Sequence, residues 1–298
     1  MTSPTHFPRD EVASIEMGRS LWQDAVQRIR GNKVAMMSLC YLVLQGSLAL
    51  LAPYLTRFGY ETTDLMLGAT APDWVHWFGT DDLGRDMLTR VLYGSRVSLM
   101  VGLLATFVSV VIGVTYGAVS GYAGGRVDAL MMRGLEILYA MPFTFFVIIL
   151  MVLFGRNIYL MFIALGAVQW LTMARIVRGQ VVSLKTMEYV SAARAMGVRN
   201  RAIIFRHILP NVLSPVIIYS TLTIPGVILE EAFLSFLGLG VQEPMSSWGT
   251  LIADGVTALE TFPWMILYPC ITLMLTLVAL NFLGDGLREA LDPKSNGD

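Results

Sequence analysis

The sequence predicts an all-α, polytopic membrane protein with about six transmembrane helices and no catalytic centre of its own. Three observations carry that expectation. Of the 298 residues, 55% are hydrophobic and only 14% are charged. A soluble domain carries roughly 25% charged residues, so lipid must cover much of the apolar surface here. Six stretches reach the length of about 20 mostly apolar residues that a spanning helix needs. They are too uniformly apolar for barrel strands, and open backbone cannot face lipid, so the spans are helices.

Residues 1–33 are polar and do not read as a cleavable signal peptide, because the run that follows is long enough to span. Within them, Ser20 to Arg30 reads as a short amphipathic helix. Ser20 and Gln23 have capping-box spacing, and Gly31 can end the helix. It either lies under the cytoplasmic leaflet or packs against a partner subunit. The first span covers about 34–55, and an external loop covers 56–95. The main transmembrane domain, 96–285, holds five more spans near 97–118, 137–154, 158–173, 212–233 and 264–283. A tail, 286–298, follows. Only Gly155, Arg156 and Asn157 separate the third and fourth spans, which predicts a tight hairpin. Sixteen Lys and Arg residues flank one side of these spans and five flank the other. The richer side is expected in the cytoplasm, with both termini there.

The net charge of −1 gives no hint of nucleic-acid binding. Cys40 and Cys270 lie in apolar runs and read as small buried side chains. No Gly-Lys dipeptide occurs, hence no phosphate-binding P-loop, and neither His-Glu-x-x-His nor Gly-x-Ser-x-Gly is present. Catalytic and metal-ligating residues are therefore expected to be none. His6 and His76 lie in polar flanks and read as solvated. In the external loop, Thr80 or Asp81 can cap a helix running to Tyr93. The Asp and Arg residues there, between Phe78 and Asp86, form local caps and ion pairs or bind a cation or a substrate charge.

The segment 174–210 is the most informative. It is basic and too long for a minimal connection. Ala192, Ala193, Ala195 and Met196 give a short helix a small apolar face, Gly197 permits a sharp turn, and a second helix leads to Pro210. Small side chains let another backbone come close, so the segment is either a docking knob or an ordinary re-entry turn.

At this segment the chain resembles the membrane subunits of binding-protein-dependent ABC importers. Their motif is Glu-Ala-Ala, three residues, Gly, nine residues, a hydrophobic position, any residue, then Leu-Pro. Ser191, Ala192, Ala193, Gly197, His207, Leu209 and Pro210 occupy its positions. Ser191 stands where the family has an acidic residue, and His207 stands at the hydrophobic position. Gly79-Thr80-Asp81 with Gly84-Arg85-Asp86 is similar to the outer-loop signature of the peptide and nickel branch. So are Gly121 to Gly125 with Asp128 and Arg133, Glu231 with Leu234 to Gly240, Ser247-Trp248-Gly249, and Gly284 to Arg288 with Leu291 to Pro293. The stretches from Gly18 to Ala25 and from Met173 to Gln180 look most like the C-type permease of oligopeptide importers.

The resemblance implies the type I importer permease fold in a bacterial cytoplasmic (inner) membrane. It implies a second homologous permease, two cytoplasmic ATPases, an external peptide-binding protein and a peptide substrate as partners. ATP and Mg would be bound by the ATPases, leaving this chain without a cofactor. The segment around Ser191 to Gly197 would sit in an ATPase groove. Charges inside spans often serve function. Glu230 and Glu231 lie near the outer end of the fifth span. One can pair with an outer-loop Arg and hold an external gate, meet a peptide amino terminus, or only reach the interface. Tyr219, Ser220 and Thr223 either line the pathway or bond helix to helix. A nickel or dipeptide relative is the nearest alternative. An intramembrane enzyme lacks a nucleophile or metal cluster, and a channel leaves the basic docking segment unexplained.

Overall fold

The computed structural model describes residues 21–155 and 157–291. Among them are eleven α-helices and no strands. Helix α1 (Leu21–Gly31) ends where Asn32 caps α2 (Lys33–Leu55), the Asn32 side chain accepting from the Ala35 N–H at 3.1 Å. The capping role of Ser20 lies outside the described residues. Ala25 on α1 is buried, and α1 packs against the last helix of the same chain.

After the external loop, α3 (Met87–Ala123) runs 37 residues. At 1.5 Å per residue it is roughly 55 Å long, well beyond a hydrocarbon core of about 30 Å. Its N-cap is Asp86, not Thr80 or Asp81, so the external loop ends at 86 and not at 95. Helices α4 (Gly125–Tyr139) and α5 (Phe143–Phe154) follow, bent by 79° at the break between them. The third span is therefore a broken pair, not one rod. Pro142 supplies the reason, since its ring removes a donor and disfavours helical backbone at Met141. Counting that pair once, six elements are long and apolar enough to cross a membrane.

Helix α6 (Ile158–Leu184) is followed by α7 (Glu188–Ala195), α8 (Asn200–Ile203), a π-turn (Ile204–Ile208) and α9 (Leu209–Phe236). The sequence predicts a span near 212–233, separate from a second helix that leads to Pro210. Instead helix runs unbroken from Asn200 to Phe236. The π-turn explains this: the Leu209 N–H bonds back to Ile204 O, five residues away. The widened turn accommodates a proline that has no N–H of its own. A short helix, α10 (Trp248–Thr257), precedes α11 (Trp264–Leu291), which extends past the expected start of the tail at 286. Both thiols are free. Cys40 is exposed on α2 and Cys270 half-buried, so only the second approaches the buried reading.

The fold is organised on α3 and α6. Gly113 of α3 faces Met173, Gly117 faces Ala174 and Val177, and Gly121 faces Arg178 and Val181. Residue numbers rise together, so the two helices run parallel. A Cβ placed on Gly113 would stand 2.6 Å from the Met173 Cβ, and one on Gly117 would overlap the Ala174 carbonyl oxygen. Backbones in lipid associate through such close approach, because burying apolar surface gains nothing there. One apolar cluster lies towards the N-terminal halves of α3 and α6, joining Val101 and Ala105 of α3, Val147 of α5, Leu165 of α6 and Val227 of α9. A second lies at the C-terminal ends of α3 and α6 and takes in α7 and the π-turn.

Replacing Gly117 with Val should lower the apparent melting temperature of the purified protein by about 5–10 °C. Overpacking a tight contact costs roughly 1–3 kcal/mol. Gly226, on α9, has open space where a Cβ would go, and Gly226→Ala should leave the melting temperature within about 2 °C. Fluorescence-detected size exclusion after heating measures both.

Candidate functional site: a helix–glycine–helix knob and a cap of buried ion pairs

The first element is built from α7, a glycine turn and α8. Helix α7 ends in a Schellman motif: the Gly197 N–H bonds to Arg194 O at 3.0 Å and the Val198 N–H to Ala193 O at 3.1 Å. That motif needs a left-handed residue at its turn, and Gly197 supplies it at φ 76°. Nothing lies within 4 Å of a Cβ built there, so backbone conformation selects glycine, not space within this chain. Val190 and Ala193 point inward and are buried with Ile203, Ile208 and Val212 against Ala118 of α3 and Met173, Val177 and Val181 of α6. Ser191, Ala192, Arg194, Ala195 and Met196 point outward and are exposed. The knob is thus anchored on one face and bare on the other.

His207 is half-buried inside the π-turn, and its carbonyl accepts from the Asn211 side chain at 2.7 Å. Its position demands a kinked helix more than an apolar side chain. The Tyr122 hydroxyl donates to Asn200 at 2.8 Å, tying α8 to α3. Beside it, Arg178 makes two 2.6 Å hydrogen bonds to Asp128, and Lys185 donates to the Gly121 carbonyl at 2.7 Å. These contacts lash α3, α4 and α6 together beside α7 and α8. Asp128 and Arg178, known from sequence only as fragments of two distant signatures, are a bidentate pair.

The external signatures also converge in space. Asp81 is buried and accepts from the Leu83 and Arg85 backbone N–H groups, from Arg85 Nε at 2.7 Å, and from Arg90. Arg85 reaches on to Glu243 at 3.0 Å, and Arg90 lies 3.8 Å from Asp254 of α10. Thr80 is fully buried, and its carbonyl accepts from the Trp264 indole at 3.0 Å. Of the two sequence readings of this loop, the structure has local caps and ion pairs. His76 is not solvated. It is buried, with Nδ1 2.9 Å from Asp86, the residue that caps α3. Hydrogen bonds from the His76 and Val75 backbone N–H groups hold the Asp73 carboxyl below its usual range.

Glu231 is fully buried, and no arginine among the described residues pairs with it. Ser98 of α3 and Ser235 of its own helix donate to it at 2.9 and 2.6 Å. Ser98 also accepts the Trp248 N–H at 3.2 Å, and the Trp248 indole donates to Ser95 at 3.0 Å. Ser247 forms a capping box with Thr250 at the start of α10. Glu231 thus clasps α3, α9 and α10, and neither pairing with an outer-loop Arg nor reaching the interface describes it. Glu230 points elsewhere and accepts from Gln169 of α6 at 3.0 and 2.9 Å. Ser220 donates to the carbonyl of Val216, one turn back in its own helix, while Tyr219 packs against the cluster that seats α7. These four residues are not gathered into one site.

Residues 109–297 match the family of binding-protein-dependent transport system inner membrane components. Residues 20–72 match the N-terminal transmembrane domain of oligopeptide transport permease C. The chain belongs to this permease family. The oligopeptide transport system permease protein OppC of Haemophilus influenzae is 54% identical over 288 residues, spanning 96% of this chain and 93% of the relative. Its Escherichia coli counterpart is 55% identical over 279 residues, 93% of this chain and 92% of the relative. The dipeptide transport system permease protein DppC of Bacillus subtilis is 45% identical over 276 residues, 92% of this chain and 86% of that one. An inward-facing crystal form of the MetNI methionine ABC transporter superposes with a TM-score of 0.53 at 16% identity. It covers 69% of this chain and 98% of that chain, which establishes the shared fold.

Among the residues that sequence reasoning passed over, Arg90 matters most for the permease. It is buried between Asp81 and Asp254. Asp81→Asn should destabilise the permease by about 3–5 kcal/mol, the usual cost of stripping one partner from a buried charge. Asp81→Asn combined with Arg90→Met should recover part of that loss. Thermal melts of the two variants against wild type test it.

Proposed function

We propose that this permease is one of the two membrane subunits of an ATP-driven importer that carries oligopeptides across the bacterial cytoplasmic membrane. It would pair with a homologous permease, receive peptide from an external binding protein, and have both termini in the cytoplasm. Two cytoplasmic ATPases would bind ATP and Mg and perform the hydrolysis. One observation carries the reading. An exposed helix–Gly–helix knob is fixed by an apolar cluster to the ends of α3, α6 and α9, so a push on the knob moves three spanning elements together. That is the geometry required of a part that transmits a remote ligand's differential affinity into a change of packing.

Ser191 offers a hydroxyl where the family pattern has a carboxylate. In this chain docking would therefore rest on the shape of Ala192, Ala195 and Met196 and on the charge of Arg194. The oligopeptide substrate follows from the two OppC relatives at 54 and 55% identity. The DppC relative at 45% supports a dipeptide cargo less strongly. Cargo preference would reside mainly in the binding protein.

The test is reconstitution with the partner subunits and measurement of peptide uptake into proteoliposomes. Gly197→Val should insert normally, lose at least tenfold in uptake and loosen co-purification with the ATPases. Forcing a β-branched residue to positive φ costs roughly 1–3 kcal/mol at the turn. Gly197→Asn tolerates that backbone and should retain most activity. Normal uptake by the Val variant would remove the knob from the coupling path.

A further inference from the structure

The outer surface holds a cavity of about 370 Å³ with Tyr60, Tyr93, Arg96, Tyr159, Phe162 and Met245 in its walls. It lies where the external loop, the start of α3 and the start of α6 meet. We propose that this cavity receives the C-terminal residue of a peptide on its way into the membrane pathway, with Arg96 holding the terminal carboxylate.

Three observations support the assignment. The first is the state of the arginine. Arg85 and Arg90 are buried and committed to Asp81. Arg96 is exposed, and no ion pair joins it to any described carboxylate. A guanidinium is a planar fork that matches a carboxylate with two parallel hydrogen bonds. The second is the chemistry of the walls. Tyr60 and Tyr93 stack with ring centroids 4.5 Å apart, and Tyr159 meets Phe162 edge-on at 6.3 Å. Aromatic faces give contact area without demanding a particular side chain. Peptides of varied sequence share only their backbone and two termini, so one fixed cation among tolerant walls is the recognition such a cargo permits. The third is rigidity. Ser246, also in the wall, is buried and donates to the Arg90 carbonyl at 3.2 Å, so the cavity stands on the cross-linked outer cap. Its volume falls within the roughly 300–1,000 Å³ of ligand pockets.

This assignment rests on the peptide-importer reading, and the experiment separates the two. The complete transporter is reconstituted with its binding protein and a labelled tripeptide. Peptide moved per ATP hydrolysed is then compared with binding-protein-stimulated ATPase activity. Arg96→Gln should lower the transport ratio about tenfold while stimulated hydrolysis stays within twofold of wild type. Arg96→Lys should restore at least a third of the ratio. An unchanged ratio in Arg96→Gln overturns the proposal. So does a parallel fall in hydrolysis, which would place Arg96 against the binding protein, the second permease or lipid. A measurement on the wild-type complex covers the case of a variant that fails to assemble. A tripeptide with a photoreactive diazirine on its C-terminal residue should label the segments 93–100 or 159–162, and the same group on the N-terminal residue should not. Labelling confined to other segments overturns the pocket alone. A wild-type complex that moves no peptide overturns the importer reading and this assignment with it.

Discussion

The backbone contact between α3 and α6 is the constraint on which the rest of the structure depends. Gly113, Gly117 and Gly121 recur every fourth residue, so they stack on one face of α3, and any side chain there would strike α6. With the gap closed, Tyr116 of α3 meets Trp170 of α6 edge-on. The Asp128–Arg178 pair forms just below, where α4 returns from the end of α3. Two parallel helices welded in this way form a strut through the bilayer. Its outer end carries Asp86 and Arg90, which organise the cap. Its inner end carries Ala118, Val177 and Val181, which seat the docking knob.

A strut of this kind makes the knob mechanically meaningful on the proposed reading. Val190 and Ala193 are buried against both of its helices, so the knob cannot shift without dragging them. Compliance must lie elsewhere, and the packing says where. Of the residues of α4 only Leu135 is buried, and α4 meets α5 at a 79° bend. Elements with few buried contacts open at low free-energy cost, whereas the strut and its two clusters do not.

The cores of the spans were legible because about 20 apolar residues are enough to announce a helix in lipid. Their ends were not. Whether α3 begins at 87 or at 97 depends on Asp86 finding Thr89 and His76, and nothing local ranks Asp86 above Asp81 as a cap. Two features lay open in the letters and went unread. Pro142 inside a presumed span signals a break, and glycines at 113, 117 and 121 signal a helix interface. His76 reads as solvated when the loop is taken as a polar flank, yet Val75, Trp77 and Phe78 adjoin it, Phe58 stacks on its ring, and Asp86, ten residues on, meets Nδ1. At the knob the reverse held. The turn is local, so the glycine and its spacing were sufficient to define it. What the sequence could not supply was the anchor beneath, because Ile203, Val177 and Ala118 come from three separate elements.

Glu231 shows how far a residue type can mislead without its partners. A carboxylate in a membrane span suggests a charge waiting for a cation or a cargo. Its spacing already places Ser235 one turn along the same face, so half of its environment was readable. The other half is Ser98, more than a hundred positions away. Hydroxyl donors from two helices hold the carboxylate, and one of those hydroxyls also takes the first N–H of α10. Were α10 to slide off α3, buried polar groups on both sides would lose their partners, a loss far greater than any single hydrogen bond gains. The outer ends of α3, α9 and α10 are therefore bound to move as one body. On the proposed importer reading, an external opening would pass beside that body and not through it.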